Sequence, residues 1–275
     1  MTLLPSRLSL NTVTVREQWS LEQCIDGCIR HGFGGIAPWR HDLHDCGIDT
    51  AAKLIRESGL KVSGLIRGGF FTADGLTVSD AVIDDNKRAV DEALAIGADC
   101  LVMVVGGLAK DTKDLHGARM AVAHGLHELM IYARPAGMPI AIEALHPMYA
   151  ADRACINTMR QVNELCDELG PGVGAAVDVY HTWWDPNLER EIEAAGPNRL
   201  MAFHVCDWLV PTRDLLLDRG MMGDGVIDLS LIRSYVEAQG YTGLIEVEIF
   251  SRDNWWRKDP DDVLETVIRR AKEFV

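Results

Sequence analysis

No apolar run in this 275-residue sequence reaches the length of about 20 residues that a membrane-spanning helix needs. The segment Met1–Thr12 has neither the basic start nor the long apolar stretch of a secretory signal. Basic residues are scarce: 27 Lys and Arg stand against 41 Asp and Glu, a formal charge of -14, so most of the surface would repel a nucleic-acid backbone. The seven cysteines are an odd count with no Cys-x-x-Cys pair. That excludes a secreted disulfide scaffold and points to reduced thiols in a cytoplasmic protein. Cys24 and Cys28, one helical turn apart, read as small core residues. No Gly-x-Gly-x-x-Gly follows the first strand candidate, which argues against an open doubly wound sheet. Neither a Gly-x-Ser-x-Gly nor a P-loop lysine motif occurs, so serine-hydrolase and nucleotide-triphosphatase chemistries have no support.

What is present is the mix of an ordinary soluble protein, with 48% apolar and 25% charged residues and no Pro-, Gly- or Ser-rich linker. Short apolar, often β-branched runs alternate with helical patterns along the whole chain. The strand candidates are Arg7–Asn11, Gly35–Trp39, Lys61–Arg67, Cys100–Gly106, Pro139–Leu145, Gly174–His181, Leu200–Cys206 and Leu244–Phe250. Helix starts are legible at Ser20, with Gln23 completing a capping box, and at Ser79, which precedes an amphipathic run ending near Gly97. Asp152–Leu169 has helical spacing and stops at Gly170-Pro171, and Asp261–Phe274 closes the chain as a final helix. Eight strands, each followed by a helix, predict a single-domain α/β protein over residues 1–275, a (β/α)8 TIM barrel.

In such a barrel the active site forms at the C-terminal ends of the strands. The period of two turns the branched residues of the last four strands toward the helices and leaves polar ones inside. Ala141 and Glu143, Ala176 and Asp178, Ala202 and His204, and Glu246 and Glu248 all face inward on this pattern. Carboxylates crowded into a barrel mouth must be paired, protonated or bound to metal. Glu143, Asp178, His204 and Glu248 therefore form a candidate cage for a divalent cation. Its three oxygen donors and one nitrogen suit Mn²⁺ or Mg²⁺, with Co²⁺ and Zn²⁺ as alternatives. Glu246, one layer deeper, is expected to pair with a buried base or hydroxyl.

The stretches Ile140-Ala-Ile-Glu143, Val177-Asp178-Val-Tyr-His181, Phe203-His204-Val-Cys-Asp207 and Gly240–Glu248 resemble the xylose-isomerase-like TIM-barrel superfamily, specifically its sugar phosphate isomerase/epimerase group. The resemblance spans nearly the whole chain. It implies that the family's metal-ligating Glu, Asp, His and Glu fall on Glu143, Asp178, His204 and Glu248, and its substrate histidine on His181. The substrate arginine falls on Arg219, ahead of Gly223-Asp-Gly225, with Arg213 as the competitor. It further implies an enediolate reaction: one glutamate removes the proton alpha to a carbonyl and the other returns it, in roles matching Glu143 and Glu248.

Several residues stand outside that pattern. His146, just past a strand end and fixed by Pro147, is a candidate base or hydroxyl partner, with Tyr149 on the same wall. Aromatic residues crowd the predicted mouth: Trp39, Phe70, Phe71, Trp183, Trp184 and Trp208, of which Trp39 and Phe71 are expected nearest the ligand. Trp255 and Trp256 would line the mouth or a subunit interface. Arg67, ending the third strand, is placed to bind either a substrate oxygen or a carboxylate of the cage. His31, His116, His124 and His127 lie in helical or linking segments and are expected in surface or helix-packing roles. The leading expectation is a metal-dependent isomerase or epimerase of a small sugar. An alternative keeps the chemistry but cleaves a 3-keto-glycoside, like the C-glycoside deglycosidases, with a small partner subunit in place of a homo-oligomer. An endonuclease IV-like nuclease ranks below both, because it needs more histidines and a basic groove.

Overall fold

Runs that alternate a small inward residue with a branched outward one close into a ring of parallel strands. The structure, a computed structural model, describes residues 3–275. The barrel strands are β1 (Leu8–Asn11), β2 (Gly35–Ala37), β3 (Lys61–Val62), β4 (Leu65–Gly69), β5 (Leu101–Val104), β6 (Ile140–Glu143), β7 (Val173–Asp178) and β8 (Leu200–Val205). After β9 (Asp207–Trp208) and β10 (Arg219–Gly220), which form a separate antiparallel pair, β11 (Ile245–Val247) completes the ring. Its order is β3-β2-β1-β11-β8-β7-β6-β5-β4. The helices are α1 (Leu21–His31), α2 (Arg40–Cys46), α3 (Ile48–Ser58), α4 (Asp80–Ala95), α5 (Leu115–Ala136), α6 (Met159–Leu169), α7 (Val179–Thr182), α8 (Leu188–Ala195), α9 (Leu229–Ala238) and α10 (Pro260–Phe274). The fold is the expected TIM barrel. Among the described residues no helix is long and apolar enough to cross a membrane.

Three buried apolar clusters hold the barrel, the least of them Val13, Phe250 and Trp256 at the mouth. The largest packs the outward faces of the strands against the helices. The second fills the barrel interior with Ala37, Ile66, Cys100, Val102, Ala141, Ala176 and Ala202. Three of its alanines sit two residues before a polar strand end, so small side chains floor the mouth where Glu143, Asp178 and His204 project. The capping box expected at Ser20 opens α1: Ser20 N donates to Gln23 Oε1 at 2.9 Å. Ser79 likewise caps α4.

Four element boundaries differ from the sequence reading, each for a local reason. The Lys61–Arg67 run breaks at Ser63-Gly64; β3 pairs with β2 and β4 with β5, and the bridges Trp39–Ile66 and Val62–Ala98 close the ring there. The strand expected through His181 ends at Asp178, whose carboxylate accepts Tyr180 N at 2.7 Å and turns the chain into α7. The helix expected from Asp152 starts at Met159, because the preceding backbone pairs instead with Gly106 and Asn157 Nδ2 donates to the Leu145 and Ala154 carbonyls. The last strand is only Ile245–Val247; Ile249 N is taken by Thr14 Oγ1 at 3.0 Å.

The end of β4 is clamped by a helix. Asn86 of α4 is buried; it accepts Gly69 N at 2.6 Å and donates to Gly69 O at 2.9 Å. Gly69 has φ +113°, and a Cβ there would lie 2.0 Å from Val104 O, so only glycine fits. Asn86→Ala would strand two buried backbone groups. Urea unfolding should then show stability lowered by about 2–4 kcal/mol with an unchanged denaturant slope; an unaltered midpoint would refute the clamp.

Candidate active site

Each cage residue is delivered by a different strand. Glu143, Asp178 and His204 lie on β6, β7 and β8, and Glu248 follows β11 by one residue. Parallel register sets Asp178 beside His204 and Glu246 beside His204. All four are buried, and one donor atom from each lies within 4.8 Å of the others. His204 Nδ1 is 3.0 Å from Glu143 Oε1.

The charges are unevenly matched. Four buried carboxylates, counting Glu246, share the mouth with one buried guanidinium, that of Arg219. Arg219 Nη1 donates to Glu248 Oε2 at 2.9 Å and Asp178 Oδ2 at 3.4 Å, while Nη2 lies 3.3 Å from His181 Nε2. Burial raises Asp178 to about 8, with Arg219 opposing and Glu143 and Glu248 adding to the rise. Burial would lower the His204 imidazole, but Glu246, Glu143 and Glu248 raise it well above its ordinary value. Burial and Arg219 hold the His181 imidazole well below its ordinary value.

Glu246 finds the hydroxyl expected of it. Ser63 Oγ donates to Glu246 Oε2 at 2.7 Å and is itself 2.7 Å from Ser9 Oγ. Asn11 Nδ2 donates to Glu246 Oε1 at 2.8 Å and to Glu248 Oε1 at 3.1 Å, and Trp39 Nε1 donates to Asn11 Oδ1 at 2.8 Å. This belt of Ser9, Asn11 and Ser63 was missed in the sequence. Its one signal is the alternation of Ser9 and Asn11 with leucines on β1, which puts both inside the ring.

A divalent cation fits the cage on two observations. His204 turns Nδ1 to the cage, 3.0 Å from Glu143 Oε1, and Nε2 to Glu246 Oε1 at 3.6 Å in the layer below, so a ring nitrogen stands among the carboxylate oxygens. The negative charge of the mouth also exceeds what Arg219 balances, a surplus that a cation relieves.

The pocket above the cage is lined by Glu143, His181, Arg219 and Glu248 below and by Trp39, Tyr149, Leu216 and Phe250 around it. Arg67 and Arg153 complete it. Arg153 lies in the segment misread as a helix start, so sequence reasoning gave it no role. Arg219 reaches the mouth on the β9–β10 pair, anchored where Asp207 accepts the backbone amides of Trp208, Gly223, Gly225 and Ile227 at 2.8–3.1 Å. Its competitor Arg213 points to solvent and pairs with Asp218.

Phe71 requires correction. Its backbone pairs with Val105, and its ring is fully buried against Gly125 of α5, where an added Cβ would come within 2.3 Å of it. It belongs to the helix-facing core. Phe70 instead meets the Arg67 guanidinium at 4.0 Å. His146 is half-buried beside the pocket, stacked on Trp208 at 4.8 Å, with Nδ1 accepting Met148 N at 3.2 Å. Burial lowers its imidazole below the ordinary value. Trp183 and Trp208 pack behind His181 with Tyr180, and Trp256 is pinned by Val13 O at 2.7 Å, so these indoles build walls. His31 pairs with Asp261 at 2.8 Å, and His116, His124 and His127 are exposed on α5.

Set beside known proteins, residues 25–273 match the family model described as a xylose isomerase-like TIM barrel. The crystal structure of protein SMc04130 from Sinorhizobium meliloti 1021 superposes with a TM-score of 0.96 at 51% identity, over 98% of this chain and 99% of that one. An inosose isomerase of Halalkalibacterium halodurans is 23% identical over 98% of this chain and 96% of its own length. The IOLI protein, solved with a bound zinc atom, has a TM-score of 0.80 at 20% identity, over 100% of this chain and 99% of its own. On this match across the barrel, the chain belongs to the xylose isomerase-like TIM barrel family.

Proposed function

We propose that the protein is a divalent-metal-dependent sugar isomerase or epimerase that moves a proton next to a carbonyl. The convergence of Glu143, Asp178, His204 and Glu248 around one point carries this reading. The inosose isomerase relatives support the reaction class, and the zinc in the IOLI structure supports the metal. Bound there, the cation would act as a Lewis acid on a carbonyl and its neighbouring hydroxyl, and Mn²⁺ is the ion the donor set suits first.

The chain's own groups supply the rest. Glu143 on β6 and Glu248 just past β11 are separated in the ring by β7 and β8, so a sugar bound over the cage meets a carboxylate on either side. One takes the proton alpha to the carbonyl and the other delivers a proton from the opposite side or at the neighbouring carbon. Neutral His181, held by Arg219, offers its imidazole to a hydroxyl. Arg219 balances Glu248 and orients its carboxylate. Trp39 and Phe250, ring to ring at 5.7 Å, exclude water from one wall.

Two outcomes are expected. Glu143→Gln and Glu248→Gln should each lower solvent-deuterium incorporation into a ketose substrate by about 10²–10⁴-fold, and wild-type exchange in both would remove the assignment. Chelated protein given free Mn²⁺ or Zn²⁺ at about 100 times its Kd should gain about 2.7 kcal/mol of stability in thermal melts, and Asp178→Asn should lose most of that gain. A melting temperature indifferent to every divalent ion would overturn the metal centre.

A further inference from the structure

Four arginines reach the barrel mouth, and two are neutralised by close carboxylates. Arg219 is shared by Glu248 and Asp178. Arg40, opening α2, is held by Glu92 at 2.5 Å and Asp85 at 2.9 Å. Arg67 is different. Among the described residues it has no carboxylate in salt-bridge range and no side-chain hydrogen bond; its guanidinium rests on the rings of Phe70 at 4.0 Å and Trp39 at 6.0 Å. Of the two partners open to it in the sequence, a cage carboxylate is therefore not the one it takes.

The backbone is shaped to put it there. From Ile66 to Gly68, β4 advances two residues while β5 advances one, from Val102 to Met103, so Arg67 is the extra residue of a bulge. Ile66 already faces the barrel interior, and plain alternation would send Arg67 toward the helices. The bulge turns it into the pocket that holds Glu143, Glu248 and His181. Arg153 lines the same pocket, and its one carboxylate neighbour, Asp152, is 3.9 Å away and exposed. Burial and the positive charge of Arg153 bring Arg67 down to about 10, against the pull of Glu143. Two guanidiniums that line one pocket without a close carboxylate of their own leave N–H donors free, and their planar forks match an oxyanion.

We propose that Arg67 and Arg153 receive an oxyanion carried by the substrate, a carboxylate or a phosphate, so that the sugar turned over at the Glu143–Glu248 cage is an acidic one. This inference rests on the isomerase/epimerase reading, because it uses the same pocket.

The test titrates the metal-loaded protein by calorimetry with three ketoses: neutral D-fructose, the keto acid 5-keto-D-gluconate and D-fructose 6-phosphate. One acidic probe should bind at least about tenfold more tightly than D-fructose, and which one does so separates carboxylate from phosphate. The acid-over-neutral ratio should fall to about one in Arg67→Gln, fall in Arg153→Gln, and be partly kept in Arg67→Lys. Absence of any acid preference, or a ratio unchanged in both glutamine variants, would overturn the proposal. Arg153→Gln alters a partly exposed side chain, so it serves should Arg67→Gln fail to fold. Solvent-deuterium exchange run in parallel separates the two readings. An Arg67-dependent acid preference without exchange in any probe leaves the oxyanion receptor and removes the isomerase; exchange without acid preference does the reverse.

Discussion

Burying four carboxylates in one barrel mouth is the constraint to which the rest of this structure answers. An isolated buried carboxylate is strongly unfavourable, and neighbouring ones raise each other's proton affinity. The fold meets the cost in layers. Glu246, deepest, is satisfied by Ser63 and Asn11. Glu248 is shared between Asn11 and Arg219, and Asp178 between Arg219 and the amide of Tyr180. Glu143 leans on His204. What these partners leave over is negative charge focused on one point, which is what a cation site requires.

The scaffold that delivers this arrangement is simple. Alanines at positions 141, 176 and 202 keep the interior narrow and low, so the next inward residue of each strand rises into the mouth. Strand register then fixes the donors without help from loops, and rigid strands hold catalytic groups more tightly than loops do. The charged groups that line the pocket above the cage come from less regular pieces: Arg67 from a bulge, Arg219 from a short antiparallel pair, and Arg153 from an irregular connection.

That division also explains what the sequence discloses. The barrel and the inward-facing cage residues follow from period-two alternation, because burial on one face imposes a pattern that survives without knowledge of tertiary contacts; the ring has nine strands rather than eight because the expected third strand breaks in two. Misplaced boundaries occur where a side chain overrides the local pattern: Asp178 capping its own turn, Asn157 holding its segment against Leu145, Thr14 taking the amide of Ile249. Phe71 was misread because a place just past a strand end does not tell which way a side chain turns. Its amide pairs with Val105 O at 2.9 Å, and that pairing carries the ring past the mouth into the helix layer against Gly125. The inner belt of Ser9, Asn11 and Ser63 was hidden for another reason: three small polar residues carry no chemistry until the partner that occupies them, Glu246, is seen beside them.

The carboxylate of Asp207 gathers amides from both ends of the excursion that carries Arg219, at Trp208 and at Gly223, Gly225 and Ile227. The arginine is thereby fastened at its root, and the stretch from 209 to 218 hangs between fixed posts. Between those posts Leu215 O accepts the Tyr149 and Tyr180 hydroxyls, which leaves residues 209–213 as the part that can change length or composition without disturbing the guanidinium below. The rim above this barrel can therefore be remodelled while the four-residue cage beneath it stays as it was.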